Sequence, residues 1–176
     1  VLFVGDINQI PAYSGTTGSH VSDLYYCTYD GGSDYIPELY WGRFPVETSD
    51  ELQAILDKTL MHEQYTWPDD NFLDECVMVA GVDGSYAPSH GNGQIYYGID
   101  EYFNTTNGYT DIYAYLYGSS SHPYQVMSSD NSGASASIIN DISNGVGFAN
   151  YTAHCTQTGW GDPSFTYNDI PGLANA

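Results

Sequence analysis

Apolar residues recur along this chain with two different spacings, and their alternation predicts a fold class before any other property is considered. Residues 1–5 (VLFVG) and 76–81 (CVMVAG) are short continuous apolar runs, each followed closely by an aspartate, Asp6 or Asp83. That is the pattern of a strand buried on both faces of a parallel sheet. Residues 111–117 alternate as a strand should, residues 23–27 suggest a shorter one, and residues 146–151 predict a buried strand leading to His154. Helical spacing appears in three other places. Leu52, Ile55, Leu56 and Leu60 follow Thr48, which with Glu51 makes a capping box, and this helix should end near Gln64. Ile95, Ile99, Tyr102 and Phe103 mark a second helix between residues 94 and 103, with Asn107-Gly108 as its stop. Ala134, Ile138, Ile139 and Ile142 mark a third, stopped by Asn144-Gly145. Strands alternating with helices argue an α/β fold around a largely parallel sheet.

Between these elements, residues 11–22 and 118–133 read as loops, the second inside a serine-enriched stretch at 119–137. Trp67-Pro68-Asp69-Asp70 is a break that divides the chain into residues 1–66 and 67–176. In parallel sheets, functional groups collect beyond the carboxyl ends of the strands, and Asp6, Asp83 and His154 all fall at such ends. His20, His90 and His122 lie in Gly-, Ser- or Pro-rich loops and His62 near a helix end, so each has a plain surface explanation. A histidine at a strand end can exchange protons with a nucleophile, and a carboxylate on the neighbouring strand, Asp83 by position, can fix its tautomer. A satisfied structural histidine fits the same pattern.

Charge narrows the partners. The 176 residues contain 22 Asp+Glu against two basic side chains, Arg43 and Lys58, for a formal charge of −20. Such a field repels phosphate backbones and anionic lipid surfaces, so no nucleic-acid partner is expected. No apolar run has the length of a membrane span, and the chain opens on Val1-Leu2-Phe3-Val4 with no basic leader segment, as though its start were cut. Crowded carboxylates favour a bound cation. Asp30, Asp34, the Ile36 carbonyl and Glu38, joined by Asp6 from a strand end, suit calcium, with a solvated acidic turn as the alternative.

Three cysteines without a CxxC pair indicate neither a disulfide framework nor a zinc site. Cys155 adjoins His154, but neighbours on a strand point to opposite faces, the wrong spacing for a dyad. Cys27 and Cys76 fall inside apolar segments, where a thiol packs as a small hydrophobe. The chain therefore offers no convincing nucleophile.

The strings VLFVGD, DLYYC, DYIPELYWGRFPVET, ELQAILDKTL, VAGVD, YFNTTNGYTD, ISNGVGFANYTAH and TGWGDP follow one another over nearly the whole chain. In that order they resemble the gingipain-type cysteine peptidases of Bacteroidetes, most of all the lysine-specific branch. The resemblance implies a caspase-like α/β fold, a mostly parallel sheet flanked by helices, of which this chain would be a part. Residues 1–66 would form the end of a first subdomain and 67–176 the front half of the catalytic one. It also implies that His154 is the catalytic histidine and Asp83 the acid that orients it. In the family a glycine follows the histidine and lends its backbone N–H to the oxyanion hole; Cys155 stands there in this chain. Arginine-specific relatives carry an aspartate near the positions of Gly93 and Gln94, neither of which is acidic. Trp160 resembles a family tryptophan near the substrate pocket, with a core aromatic as the other reading.

The family's nucleophilic cysteine lies on the next strand, farther beyond His154 than the 22 residues that follow it here (176 − 154 = 22). The implied protein is a secreted or surface bacterial cysteine endopeptidase with structural calcium. Its partners would be a polypeptide substrate and the rest of its own polypeptide or a processed companion chain. The competing expectation is a catalytically silent binding or structural surface protein of the same family, motivated by Cys155 and the missing nucleophile.

Overall fold

In unit Val1–Pro68, one of two compact units into which the contacts divide the chain, β1 (Leu2–Val4), β2 (Tyr13–Ser14), β3 (Val21–Ser22) and β4 (Gly42–Phe44) form two small ribbons. The computed structural model describes residues 1–15, 21–31, 33–118, 125–127 and 132–175. His20, His122 and most of the predicted loop 118–133 lie outside the described residues. β1 pairs in parallel with β4, and β2 pairs antiparallel with β3. The expectation that β1 is buried on both faces is wrong: Leu2 is 52% and Val4 43% exposed. A ribbon with one described partner strand leaves its outer faces to solvent.

The strand expected at residues 23–27 is instead a 3₁₀ turn, Leu24–Tyr26. Its backbone groups are spent locally. Leu24 N–H donates to Ser22 Oγ (3.1 Å), Tyr26 N–H to Asp23 O (3.0 Å) and Cys27 N–H to Leu24 O (2.9 Å), which leaves little to pair with a ladder. Cys27 packs fully buried beside the turn. β4 had no sequence signal because Arg43 sits at its middle. The Arg43 guanidinium is nevertheless well held: it donates to Asp23 through Nε (2.8 Å) and Nη2 (2.6 Å) and to Gly5 O through Nη1 (2.7 Å). That bidentate grip holds the Asp23 carboxyl below the usual carboxylate range. Helix α1 (Ser49–Glu63) begins as the capping box requires, with Glu51 N–H donating to Thr48 Oγ1 and Thr48 N–H to Glu51 Oε2.

The second unit, Asp69–Ala176, is a three-layer α/β/α arrangement. Its elements are β5 (Glu75–Ala80), α2 (Asn92–Glu101), β6 (Asp111–Tyr117), β7 (Gln125–Met127), α3 (Ser132–Asn144) and β8 (Phe148–Thr152). A final hairpin joins β9 (Cys155–Thr156) to β10 (Gly159–Trp160). The main sheet has the order β7-β6-β5-β8 and is parallel throughout. A π turn, Ala87–Gly91, runs straight into α2, so the helical segment starts before the predicted residue 94.

β5 is the centre of the core because its apolar run faces two ways. Cys76, Met78 and Ala80 pack with Ala114 and Leu116 of β6 under Ile95 and Ile99 of α2. Val77 and Val79 pack with Tyr115 against Ala134 and Ile138 of α3. α3 stops where predicted, at Gly145, whose φ of 106° is a left-handed value that closes a helix at low cost to glycine. The connection from β5 to β6 steps one way across the sheet, and the one from β7 to β8 steps back past β5. Right-handed crossovers in opposite directions put α2 and α3 on opposite faces. The direction reverses between β5 and β8, which makes their carboxyl ends the switch point of the sheet.

Candidate active site

Register brings the two strand ends together. β5 and β8 are parallel neighbours with Ala80 opposite Thr152, so the segments leaving them start side by side. Gly81 N–H then donates to Thr152 O (3.2 Å), and Val82 N–H to Asp162 O (2.7 Å). This approach tolerates no side chain at residue 81. A Cβ there would lie 2.6 Å from Ala153 Cβ, 2.7 Å from Tyr151 Cε2 and 2.8 Å from Asp162 O.

Asp83 is fixed by its own turn. Its Oδ1 accepts from the backbone N–H groups of Ser85 (3.0 Å) and Tyr86 (3.2 Å), an Asx turn that leads toward the π turn and α2. Oδ2 is thereby presented to His154, whose Nε2 stands 3.4 Å away. The carboxylate is the sheltered partner, with its side chain 20% exposed, while the imidazole is 92% exposed and open to an incoming group. This corrects the expectation of a buried strand leading to the histidine. β8 is an edge strand whose only partner among the described residues is β5; Phe148 is 42% exposed, and His154 sits past the strand in the connection to β9.

Cys155 is the first residue of β9, exposed, with Trp160 opposite it across the hairpin. The Trp160 indole stacks on Tyr151 (centroids 4.7 Å apart, planes at 8°) and tilts against Phe165 at 5.2 Å, so it lines the strand end carrying His154 and belongs to that side of the core. Cys76 is fully buried in β5, and burial pushes its thiol up to about 11, far from a nucleophile's working range. Cys27, also fully buried, lies in the first unit. Tyr151 is a site residue that sequence reasoning missed. Its hydroxyl donates to His154 O (3.0 Å) and accepts from Asp162 N–H (3.2 Å). An aromatic at a strand end reads as ordinary core, and no periodicity marks its hydroxyl.

The acidic turn of the first unit assembles part of the expected metal set. One carboxylate oxygen each from Asp30, Asp34 and Glu38 lies within 4.8 Å of the others. Asp6 is not in that group. Ile36 takes part through its N–H, which donates to Asp34 Oδ1 (3.0 Å), and Glu38 Oε2 accepts from Tyr29 N–H (2.9 Å). Asp34 Oδ2 is a buried oxygen with no hydrogen-bond partner among the described residues, a cost that an oxygen-seeking cation would remove. The donor set fits calcium.

The sequence pattern of Peptidase family C25 matches residues 1–176. The chain belongs to that family. Lys-gingipain of Porphyromonas gingivalis is 38% identical over 172 residues, 98% of this chain, and gingipain R2 of the same organism is 28% identical over 177 residues, 100% of this chain. The chain spans 9% of the length of Lys-gingipain and 22% of that of gingipain R2. A solved protease superposes with a TM-score of 0.81 at 38% identity, over 99% of this chain and 35% of its own. The arginine-specific cysteine proteinase gingipain R superposes with a TM-score of 0.72 at 28% identity, over 100% of this chain and 37% of its own. This C25 chain thus has the α/β, caspase-like fold of the gingipains, with a mostly parallel sheet. Among its described residues no helix is long and apolar enough to cross a membrane.

Proposed function

We propose that this chain supplies the acid–base histidine of a cysteine endopeptidase whose nucleophilic thiol stands elsewhere in the complete polypeptide. The observation that carries the reading is the Asp83–His154 pair at the switch point of the sheet, with the imidazole open to solvent. In the mechanism, His154 stabilises a thiolate and the thiolate attacks the peptide carbonyl. His154 then protonates the leaving amine, and water releases the acyl group. Asp83 holds the ring through the contact of its Oδ2 with Nε2. The Cys155 N–H is the candidate oxyanion donor and Trp160 a candidate wall of the substrate pocket. β8 supports the arrangement, because it has a partner on one side only among the described residues, and a parallel strand added on the other would end beside His154.

A bacterial setting, at the surface or secreted, is proposed; the relatives come from Porphyromonas gingivalis. A pro-segment is a natural partner, since a related chain was solved as a complex of its pro- and mature domains. The second reading, a silent surface-binding member, is favoured by the side chain that Cys155 adds where the family has glycine. Treating the complete protein with a thiol-directed peptidyl probe separates the two. Covalent labelling at a cysteine other than Cys27, Cys76 or Cys155, with parallel loss of peptide cleavage, is expected. No label and no cleavage would sink the peptidase reading.

We further propose that Asp30, Asp34 and Glu38 hold a structural calcium ion. At a hundredfold excess over Kd the ion would contribute about 2.7 kcal/mol, roughly 5–10 °C in melting temperature for a chain of this size. Chelation should therefore lower the melting temperature by that amount in the wild type and leave Asp34→Asn unmoved. Equal melting with and without chelator in the wild type would remove the ion from the account.

A further inference from the structure

We propose that Tyr151 is a positioning residue, whose hydroxyl ties the backbone of His154 to the segment next to Asp83 and so keeps the two side chains in register. The inference rests on the reading of His154 as the acid–base group. The need for such a tie follows from exposure. With its side chain 92% exposed, the His154 imidazole has Asp83 as its one recorded partner among the described residues, so its aim depends on where its backbone is held.

The Tyr151 hydroxyl is the node of that backbone. It donates to His154 O (3.0 Å), accepts from Asp162 N–H (3.2 Å) and lies 3.3 Å from Asp162 O. His154 O also accepts from Gly161 N–H (3.1 Å), while Asp162 O accepts from Val82 N–H (2.7 Å), the residue before Asp83. A continuous path therefore runs from Asp83 through Val82, Asp162 and Tyr151 to His154. The ring alone would satisfy the core, because phenylalanine could stack on Trp160 just as Tyr151 does at 4.7 Å. What the hydroxyl adds is bonded entirely to the backbone of the turns that make the site. Burial raises the pKa of Tyr151, so the group keeps its proton and remains a donor through neutral pH.

The test is kinetic, on the complete protein with a peptide substrate. Tyr151→Phe should lower kcat by about tenfold with KM within about twofold, the signature of lost alignment and not of lost binding. On an Asp83→Asn background the same change should have little further effect, because both substitutions disable one unit. Tyr115→Phe is the control. It deletes another partly buried hydroxyl, bonded to Asp141, and should lower the melting temperature while leaving kcat alone. Should Tyr151→Phe fail to fold, Gly161→Ala decides, since its Cβ would meet His154 O at 2.8 Å and displace the same carbonyl with the tyrosine in place. Unchanged kcat in the folded variants, or a Tyr151→Phe loss that persists undiminished without Asp83, overturns the proposal. An active His154→Ala variant overturns the functional reading beneath it. An inactive one beside a fully active Tyr151→Phe overturns the positioning role alone.

Discussion

His154→Ala in the complete protein is expected to lower kcat on peptide substrates by about 10²- to 10⁴-fold, the range that a positioned proton-transfer group supplies. Among the described residues near the strand ends, the other groups are already engaged. Ser85 and Tyr86 contribute only backbone N–H groups to Asp83, and His90 is already bonded through Nδ1 to Ser89 Oγ at 2.9 Å. The substitution should leave the fold intact, because a side chain 92% exposed contributes little packing. A melting temperature close to wild type with collapsed kcat would fit this account; retained turnover would end it. Asp83→Asn should act through the same step with a smaller loss. It keeps the Oδ1 acceptor of the Asx turn but removes the charge facing Nε2 at 3.4 Å.

The largest effect on stability is expected at Leu116. It is fully buried on β6 in the cluster under α2, and Leu116→Ala removes its methyl groups where Ile95, Met78 and Ala114 have little freedom to close in. The cost should be about 2–5 kcal/mol, read as a lower denaturant midpoint at unchanged slope. Ile138→Ala on the α3 side should cost a similar amount, and the double variant should be nearly additive. The two residues belong to separate clusters on opposite faces of one sheet, with no shared partner among the described residues. Strong non-additivity would mean that the sheet transmits packing changes from one face to the other.

Legibility followed the kind of signal each element carried. α1 was clear because its capping box and periodicity agreed, α3 because periodicity and the Asn144-Gly145 stop agreed, and β5 and β6 because their apolar positions repeat over several residues. The errors share another cause. β1 and β8 have apolar sequences that read as buried, yet burial depends on what stands alongside, and each has one partner strand among the described residues. Residues 23–27 have strand-like composition, but Ser22 Oγ and Asp23 O capture the backbone donors first. β4 was invisible because pairing with β1, and not its own pattern around Arg43, makes it a strand. The acidic turn was readable as a cluster, but Asp6 stands outside the group that Asp30, Asp34 and Glu38 form, since a strand-end position says nothing about where a carboxylate points.

By itself the sequence determined that two apolar rhythms alternate and that Asp83 and His154 follow strands. It also set an acidic charge that argues against polyanionic partners and three cysteines without a CxxC pair. These are local or summed properties, which order along the chain is enough to state. The tertiary structure alone decided that Ala80 stands opposite Thr152 and that only glycine fits at residue 81. It likewise decided that Asp83 Oδ2 comes within 3.4 Å of His154 and that the Tyr151 hydroxyl binds the two turns together. Register and hydrogen-bond direction arise from pairing between residues distant in sequence, and a one-residue slip would move each of these groups away while leaving every local pattern unchanged.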